Sequence, residues 1–192
     1  MSRTIADLDW PVTTTRLSLR PAEPRDALAT FAFRSQEGVS HWLTTFSKDA
    51  EEYRARFVET TGNALVVERD GVLIGDLSVN IQDPWSQAEV RDQAAGTQAE
   101  IGYVFDPACA GQGYATEAVR ELLRICFEGI GVRRVIAQCF ADNQASWRLM
   151  ERVGMRREQY SVKDSLHRNG EWLDGMLYAL LAEEWSVAQA RA

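Results

Sequence analysis

A pair of glycines is the first feature of this 192-residue chain that could do chemistry. Gly111-Gln112-Gly113-Tyr114-Ala115-Thr116 follows a strand-like run and opens the clearest helical pattern in the sequence. First-turn N–H groups of a helix lack intrahelical acceptors, and the helix dipole adds roughly half a positive charge there. Such a turn is an anion site suited to a phosphate, and Gly111 and Gly113 carry no Cβ to keep one away. Spelling removes two other users of the same physics. The dinucleotide fingerprint Gly-x-Gly-x-x-Gly fails at Thr116, and the following strand around Gln138 offers no acidic residue for a ribose. The phosphate loop Gly-x-x-x-x-Gly-Lys-Ser/Thr is absent.

Positioning this turn requires a strand before it and a helix after it. Glu100-Ile101-Gly102-Tyr103-Val104-Phe105 reads as the strand, stopped by Pro107. Ala115, Ala118, Val119, Leu122, Leu123, Cys126 and Phe127 fall on one helical face, with Gly129 or Gly131 as the stop. Upstream, Arg16-Leu17-Ser18-Leu19-Arg20 alternates as a half-buried strand. A helix from Pro24 should bury Leu28, Phe31 and Ala32. A second helix over 48–61, capped by Ser47, should bury Tyr53, Phe57 and Val58. Asp70-Gly71 marks a hairpin between the runs 64–68 and 72–79, and 82–98 is a polar insertion. Downstream come a buried strand (135–140), a short helix from Asn143 closed by Gly154, a hairpin around Asn169-Gly170 and an amphipathic tail over 180–187. The order β-α-α-β-β-β-α-β-α-β-β predicts an α/β (α+β) chain with helices interleaved into one mixed sheet, and one domain over 1–192.

Composition narrows the function. With 21 Lys+Arg against 28 Asp+Glu, the net charge of −7 disfavours nucleic-acid binding. It suits solubility, and it could also attract a cationic amine. No apolar run reaches the roughly 18–20 residues of a membrane span, and the first ten residues do not read as a signal peptide. Three cysteines, with no Cys-x-x-Cys, indicate neither a disulfide framework nor a metal site and fit a reducing cytoplasm. His41 and His167 form no recognisable nucleophile–base spacing, and Cys109 beside the loop reads as incidental.

Beyond the loop itself, several segments agree in order and spacing. They are Ala99-Glu100-Ile101-Gly102-Tyr103-Val104, then Pro107 to Ala118, then Asn143-Gln144-Ala145-Ser146 with Glu151-Arg152-Val153-Gly154-Met155. Gly170-Glu171-Trp172-Leu173-Asp174, Tyr178-Ala179-Leu180 and Glu184-Trp185 complete the set, with Thr15 to Arg20 at the start. Together they resemble the GCN5-related N-acetyltransferases (GNAT), in the branch of the ribosomal-protein N-terminal acetyltransferases of RimJ and RimL type. The resemblance spans about 15–185. It departs at Ala108, where the family's loop often has Gln or Arg, and at Met155, which replaces a Phe.

The resemblance implies a mixed, mostly antiparallel sheet of about seven strands with splayed central strands, flanked by helices. It implies acetyl-CoA as co-substrate, no metal, and direct transfer to a primary amine in a ternary complex. Tyr103, Val104 and Phe105 would pair with the pantetheine arm, and an N–H of Val104 or Phe105 would polarise the thioester. The backbone of Ala110, Gly111, Gln112, Gly113, Tyr114, Ala115 and Thr116 would hold the pyrophosphate. Asn143 would bond the pantetheine, or simply cap its helix. Ser146 would donate to the leaving thiolate, and Glu100 is the first choice of general base, with Asp76, Asp174 and Tyr103 open. Glu117 reads as a residue favoured by the helix dipole. The acceptor site falls to residues 34–46, to 82–98 and to the last hairpin, where Trp42, Trp85 and Trp172 could form a wall or core, and Asp83, Glu89 or Asp92 could attract an ammonium. The branch favours a protein N-terminus as acceptor; an aminoglycoside, polyamine or amino acid is the alternative, and a noncatalytic acyl-CoA sensor is an alternative of another class. The resemblance also allows a homodimer.

Overall fold

In the computed structural model, which describes residues 3–190, the first alternating segment becomes β2 (Ser18–Pro21), preceded by a two-residue β1 (Val12–Thr13). Three helices follow, α1 (Ala27–Arg34), α2 (Glu37–Ser40) and α3 (Ala50–Thr60), and then β3 (Ala64–Arg69) and β4 (Val72–Gln82). Asp70 and Gly71 both take positive φ, 50° and 78°, as a tight two-residue hairpin turn demands. After α4 (Arg91–Ala94) come β5 (Gln98–Phe105), α5 (Tyr114–Arg124), β6 (Arg134–Phe140), α6 (Gln144–Arg152), β7 (Arg156–Leu166), β8 (Trp172–Leu181) and α7 (Ala182–Gln189). Among the described residues the strands form one eight-stranded, mostly antiparallel sheet in the order β1-β2-β3-β4-β5-β6-β8-β7. The strand beyond the expected seven is β1, too short to leave a periodic signal. No described helix is long and apolar enough to cross a membrane.

By contact density the described chain forms two compact units, residues 3–79 with 102–122, and 80–101 with 123–190. In the first unit, β2 pairs antiparallel with β3, and β3 with β4. Ala22, Ala27, Tyr53, Phe57 and Val66 form a core cluster there. The buried face of α1 is Ala27, Thr30 and Phe33; of the expected Leu28, Phe31 and Ala32, Phe31 is partly buried and packs against the core cluster, whereas Ala32 is exposed and Leu28 is 63% exposed. Thr30 can be buried because its hydroxyl donates to backbone carbonyls one turn back and accepts from Tyr53 Oη at 3.0 Å. The second helix is capped by Asp49, which accepts from the N–H groups of Glu51 and Glu52. Ser47 is buried instead, and Val58 is exposed while Tyr53 and Phe57 pack inward.

Two charge clusters sit inside this unit. Arg20 makes a bidentate pair with buried Asp26 at 2.8 Å and also reaches Glu68 at 2.7 Å. Arg34 grips buried Asp76 through Nε and Nη2 at 2.7 and 2.6 Å. Beside Asp76 the backbone is crowded: a Cβ on Gly75 would lie 2.5 Å from Phe105 Cδ1 and 2.9 Å from the Val104 carbonyl oxygen. Gly75 thus allows β5 to carry Phe105 at this point, where Asp106 N–H also donates to the Ile74 carbonyl at 2.9 Å.

In the second unit, the parallel ladder of β5 and β6 joins Gln98, Ala99 and Glu100 to Arg134, Val135 and Ile136, three pairs long although both strands run on. The other edge of β6 pairs antiparallel with β8 from Arg134 to Phe140. The insertion at 82–98 is not simply irregular: it folds a short turn and α4, pinned by Gly96 N–H donating to Asp83 Oδ1 at 2.7 Å. The long helix continues past α5 as a π-helical stretch, Ile125–Ile130, and ends at Gly131, whose φ of 87° is left-handed. Trp185 on α7 packs on Phe127, ring centroids 5.9 Å apart, and donates from Nε1 to Glu128.

Gly75→Ala should cost about 1–3 kcal/mol, the usual cost of overpacking, whereas Gly62→Ala, with open space around it, should stay within about 0.5 kcal/mol. Equal melting temperatures for the two variants would contradict the close approach at Gly75. A second prediction concerns acid. Burial pushes the Asp26 carboxyl up, but Arg20 and the Glu23 N–H outweigh it and hold it below the ordinary carboxylate value. A folded-state value below the unfolded one gives stability that is full above the unfolded value of about 3.9 and is lost as pH falls through the folded value. Urea unfolding should therefore show Asp26→Asn destabilised by about 3 kcal/mol at neutral pH, with the deficit shrinking below pH of about 4. A deficit independent of pH would contradict the ionised pair.

Candidate active site

The loop after β5 is built from local rules. Asp106 accepts from the Ala108 N–H at 2.9 Å, and Pro107–Cys109 makes one tight turn. Gly111 and Gly113 then take φ of 75° and 80° before α5 begins at Tyr114. The first helical hydrogen bond runs from Glu117 N–H to Gly113 C=O at 3.0 Å. Tyr114, Ala115 and Thr116 therefore supply the first-turn donors that helical geometry leaves without a helical acceptor. Space is not why Gly111 is glycine, since a Cβ there would meet nothing within 4 Å; its left-handed backbone is the reason. The same holds for Gly113, whose missing Cβ would lie 3.5 Å from Arg16 Nη2, an ordinary contact distance.

Arg16 is the residue that sequence reasoning missed. Its Nη1 donates to the Gln112 carbonyl at 2.9 Å, and its Nε donates to Glu117 Oε2 at 2.7 Å. The other carboxylate oxygen of Glu117 accepts from the Arg16 N–H at 2.9 Å and from Thr14 Oγ1 at 2.6 Å. Partial burial raises the Glu117 carboxyl, but these donors prevail and hold it below its ordinary value. The Arg16 guanidinium also lies 4.6 Å from the centre of the buried Tyr114 ring, and that of Arg69 lies 5.0 Å from it. Glu117 is thus a clamp residue as well as one favoured by the helix dipole. No sequence signal could have paired it with Arg16, 101 positions away.

Tyr103, Val104 and Phe105 lie in the same unit as the loop, half-buried along the end of β5. Glu100, Asn143 and Ser146 lie in the other unit. Asn143 caps α6, accepting from the Ser146 N–H at 3.3 Å, so the capping role is realised. The Ser146 hydroxyl is a hydrogen-bond partner of the Cys139 thiol, which burial pushes up to about 11 against the pull of that bond. Glu100 is half-buried and accepts from Gln82 Nε2 at 2.7 Å. Behind it runs an oriented chain: Arg134 Nε donates to Gln98 Oε1 at 3.1 Å, and Gln98 Nε2 donates to Gln82 Oε1 at 3.2 Å.

The other carboxylates considered as bases are committed elsewhere. Asp76 is buried under Arg34. Asp174 accepts from Tyr160 Oη at 2.5 Å and from the Lys163 N–H at 2.9 Å, and these donors hold its carboxyl below the ordinary range. Of the aromatics considered for an acceptor wall, Trp85 is 94% exposed and Trp172 54%, while Trp42 stacks edge-on with His41 at 4.4 Å. Cys109, Cys126 and Cys139 are free thiols. Among the described residues no group of three or more His, Cys, Asp or Glu side chains could hold a metal ion.

Comparison with known proteins identifies the family. Residues 16–156 match the model of the Acetyltransferase (GNAT) domain. The uncharacterized N-acetyltransferase YnaD of Bacillus subtilis (strain 168) is 30% identical over 181 residues, which cover 91% of this chain and 99% of YnaD. The putative ribosomal N-acetyltransferase YdaF of the same organism is 27% identical over 181 residues, covering 88% and 93% of the two chains. Among solved structures, Mycobacterium smegmatis RimJ in complex with CoA-disulfide superposes with a TM-score of 0.73 at 26% identity, covering 88% of this chain and 83% of RimJ. The chain belongs to the GNAT family and is an N-acetyltransferase with RimJ-like relatives.

Proposed function

We propose that this enzyme transfers the acetyl group of acetyl-CoA directly to a protein N-terminal amine, acting as one domain in a reducing cytoplasm. The observation that carries the donor assignment is the turn at Gly111 and Gly113, two left-handed residues that open the first-turn donors of α5. The family match runs from residue 16 to 156, through both compact units, and supports a single acetyltransferase domain. The acceptor assignment is supported by the likeness to YdaF, named as a putative ribosomal N-acetyltransferase. The net charge of −7 favours a cationic amine. Three free thiols fit the reducing compartment.

In this reading the backbone from Ala110 to Thr116 holds the pyrophosphate, and Tyr103, Val104 and Phe105 pair with the pantetheine amides as an added strand would. Asn143 also contacts the pantetheine arm. An N–H of Val104 or Phe105 polarises the thioester carbonyl. Glu100, with Gln82 holding one oxygen, accepts the amine proton through water. The amine nitrogen bonds to the carbonyl carbon, the C–S bond breaks, and Ser146 donates a hydrogen bond to the departing thiolate, which then takes up the proton.

Thiol release from acetyl-CoA with a panel of peptides, amino acids, polyamines and aminoglycosides tests the function. Turnover should be highest with a peptide bearing a free N-terminus. Turnover confined to small-molecule amines would overturn the acceptor assignment, and CoA binding without turnover on any amine would indicate a sensor. Gly113→Glu should abolish CoA binding in calorimetry, since a side chain and a negative charge enter the phosphate cradle; unchanged affinity would contradict the loop assignment. Ser146→Ala should lower kcat by about tenfold or more with little change in CoA affinity. A kcat at the wild-type level would leave Ser146 as a helix residue only.

A further inference from the structure

We infer that Arg16 is a positioning residue for acetyl-CoA: it fixes the Gly111–Gly113 turn with its N–H groups presented and neutralises the carboxylate closest to the bound phosphates. This rests on the assignment of that turn to the CoA pyrophosphate. A turn with two left-handed glycines has an intrinsically loose backbone. Arg16 holds it from outside. Because a peptide unit is planar and trans, its C=O and N–H point in opposite directions. Drawing the Gln112 carbonyl onto Arg16 Nη1 at 2.9 Å therefore turns the Gly113 N–H away from Arg16 and keeps a carbonyl oxygen from facing an anion.

Charge gives the second reason. Glu117 lies in the first turn of α5, where an ionised carboxylate would oppose a phosphate held by that turn. Arg16 covers it with Nε and Nη2 at 2.7 and 2.6 Å, and Thr14 and the Arg16 N–H occupy its other oxygen. The guanidinium keeps 44% side-chain exposure against 17% for Glu117, so the cation is the solvent-facing member of the pair. Tyr114, buried beneath the Arg16 and Arg69 guanidiniums, gives them a fixed platform. The family's loop often carries Gln or Arg where this chain has Ala108; here the side-chain contribution comes from the bend between β1 and β2 instead.

Affinity measured against two donors tests this. Acetyl-CoA carries the phosphates and S-acetylpantetheine does not, so a residue acting through the phosphate turn affects only the first. By calorimetry Arg16→Ala should bind acetyl-CoA about tenfold or more weakly, while NMR titration should find its affinity for S-acetylpantetheine within about twofold of wild type. Arg16→Lys should recover only part of the loss, because one ammonium cannot span both the Glu117 carboxylate and the Gln112 carbonyl; this variant decides the matter if Arg16→Ala does not fold. Unchanged acetyl-CoA affinity, or an equal loss for both donors, would overturn the role of Arg16. Gly113→Glu separates the underlying assignment: if it abolishes acetyl-CoA binding while Arg16→Ala does not weaken it, only the inference about Arg16 fails. If it leaves binding intact, the turn is not the phosphate site and both fall.

Discussion

A helix that must offer its first-turn N–H groups to an anion cannot also cap them with its own side chains. If the start of α5 holds the CoA pyrophosphate as proposed, it is such a helix, and the contacts around it bear on that constraint. Gly111 and Gly113 supply a left-handed path into the helix, at the expense of a flexible backbone. The flexibility is removed by a contact from the beginning of the chain, where Thr14 and Arg16 close on Glu117 and on the Gln112 carbonyl. A carboxylate in the first turn is favourable to the empty helix and unfavourable to a phosphate; pairing it with Arg16 reconciles the two.

That clamp is only as good as the strand that follows it. β2 begins two residues after Arg16, pairs with β3, and is tied to the start of α1 by Arg20 gripping Asp26 and Glu68. Charged pairs of this kind are strongly destabilising to break and of modest net value to keep, so they fix geometry more than they add stability. β5 is positioned by close backbone approach, with Gly75 giving room for Phe105 and Ile74 accepting from Asp106. The strand end and the turn that follows it are set by neighbours in the same unit.

Features written locally were legible in the sequence. The Asp70-Gly71 hairpin, the apolar stripe from Ala118 to Phe127, the helix start at Asn143 and the glycine turn each depend on residues within one or two turns of one another. Features set by tertiary contacts were not. Leu28 looks like core yet faces water, because Thr30 satisfies its hydroxyl locally and takes the inward position. Ser47 looked like the cap of α3, but Asp49 stands at the residue where the backbone turns helical. The pairing of Arg16 with Glu117 and the alignment of Arg134, Gln98 and Gln82 behind Glu100 join distant segments with no periodic trace. The family resemblance named the candidate residues; the surroundings that distinguish the candidate bases, Asp174 and Asp76 held by several donors and Glu100 by Gln82, depend on tertiary contacts.

We propose that the turn at Gly111 holds the CoA pyrophosphate through backbone donors. A crystal structure with acetyl-CoA bound tests it most directly. Pyrophosphate oxygens should lie within about 3 Å of N–H groups between Ala110 and Thr116, with Arg16 still on Glu117 and Gln112. A pyrophosphate bound elsewhere, or held by side chains with those N–H groups turned away, would contradict it.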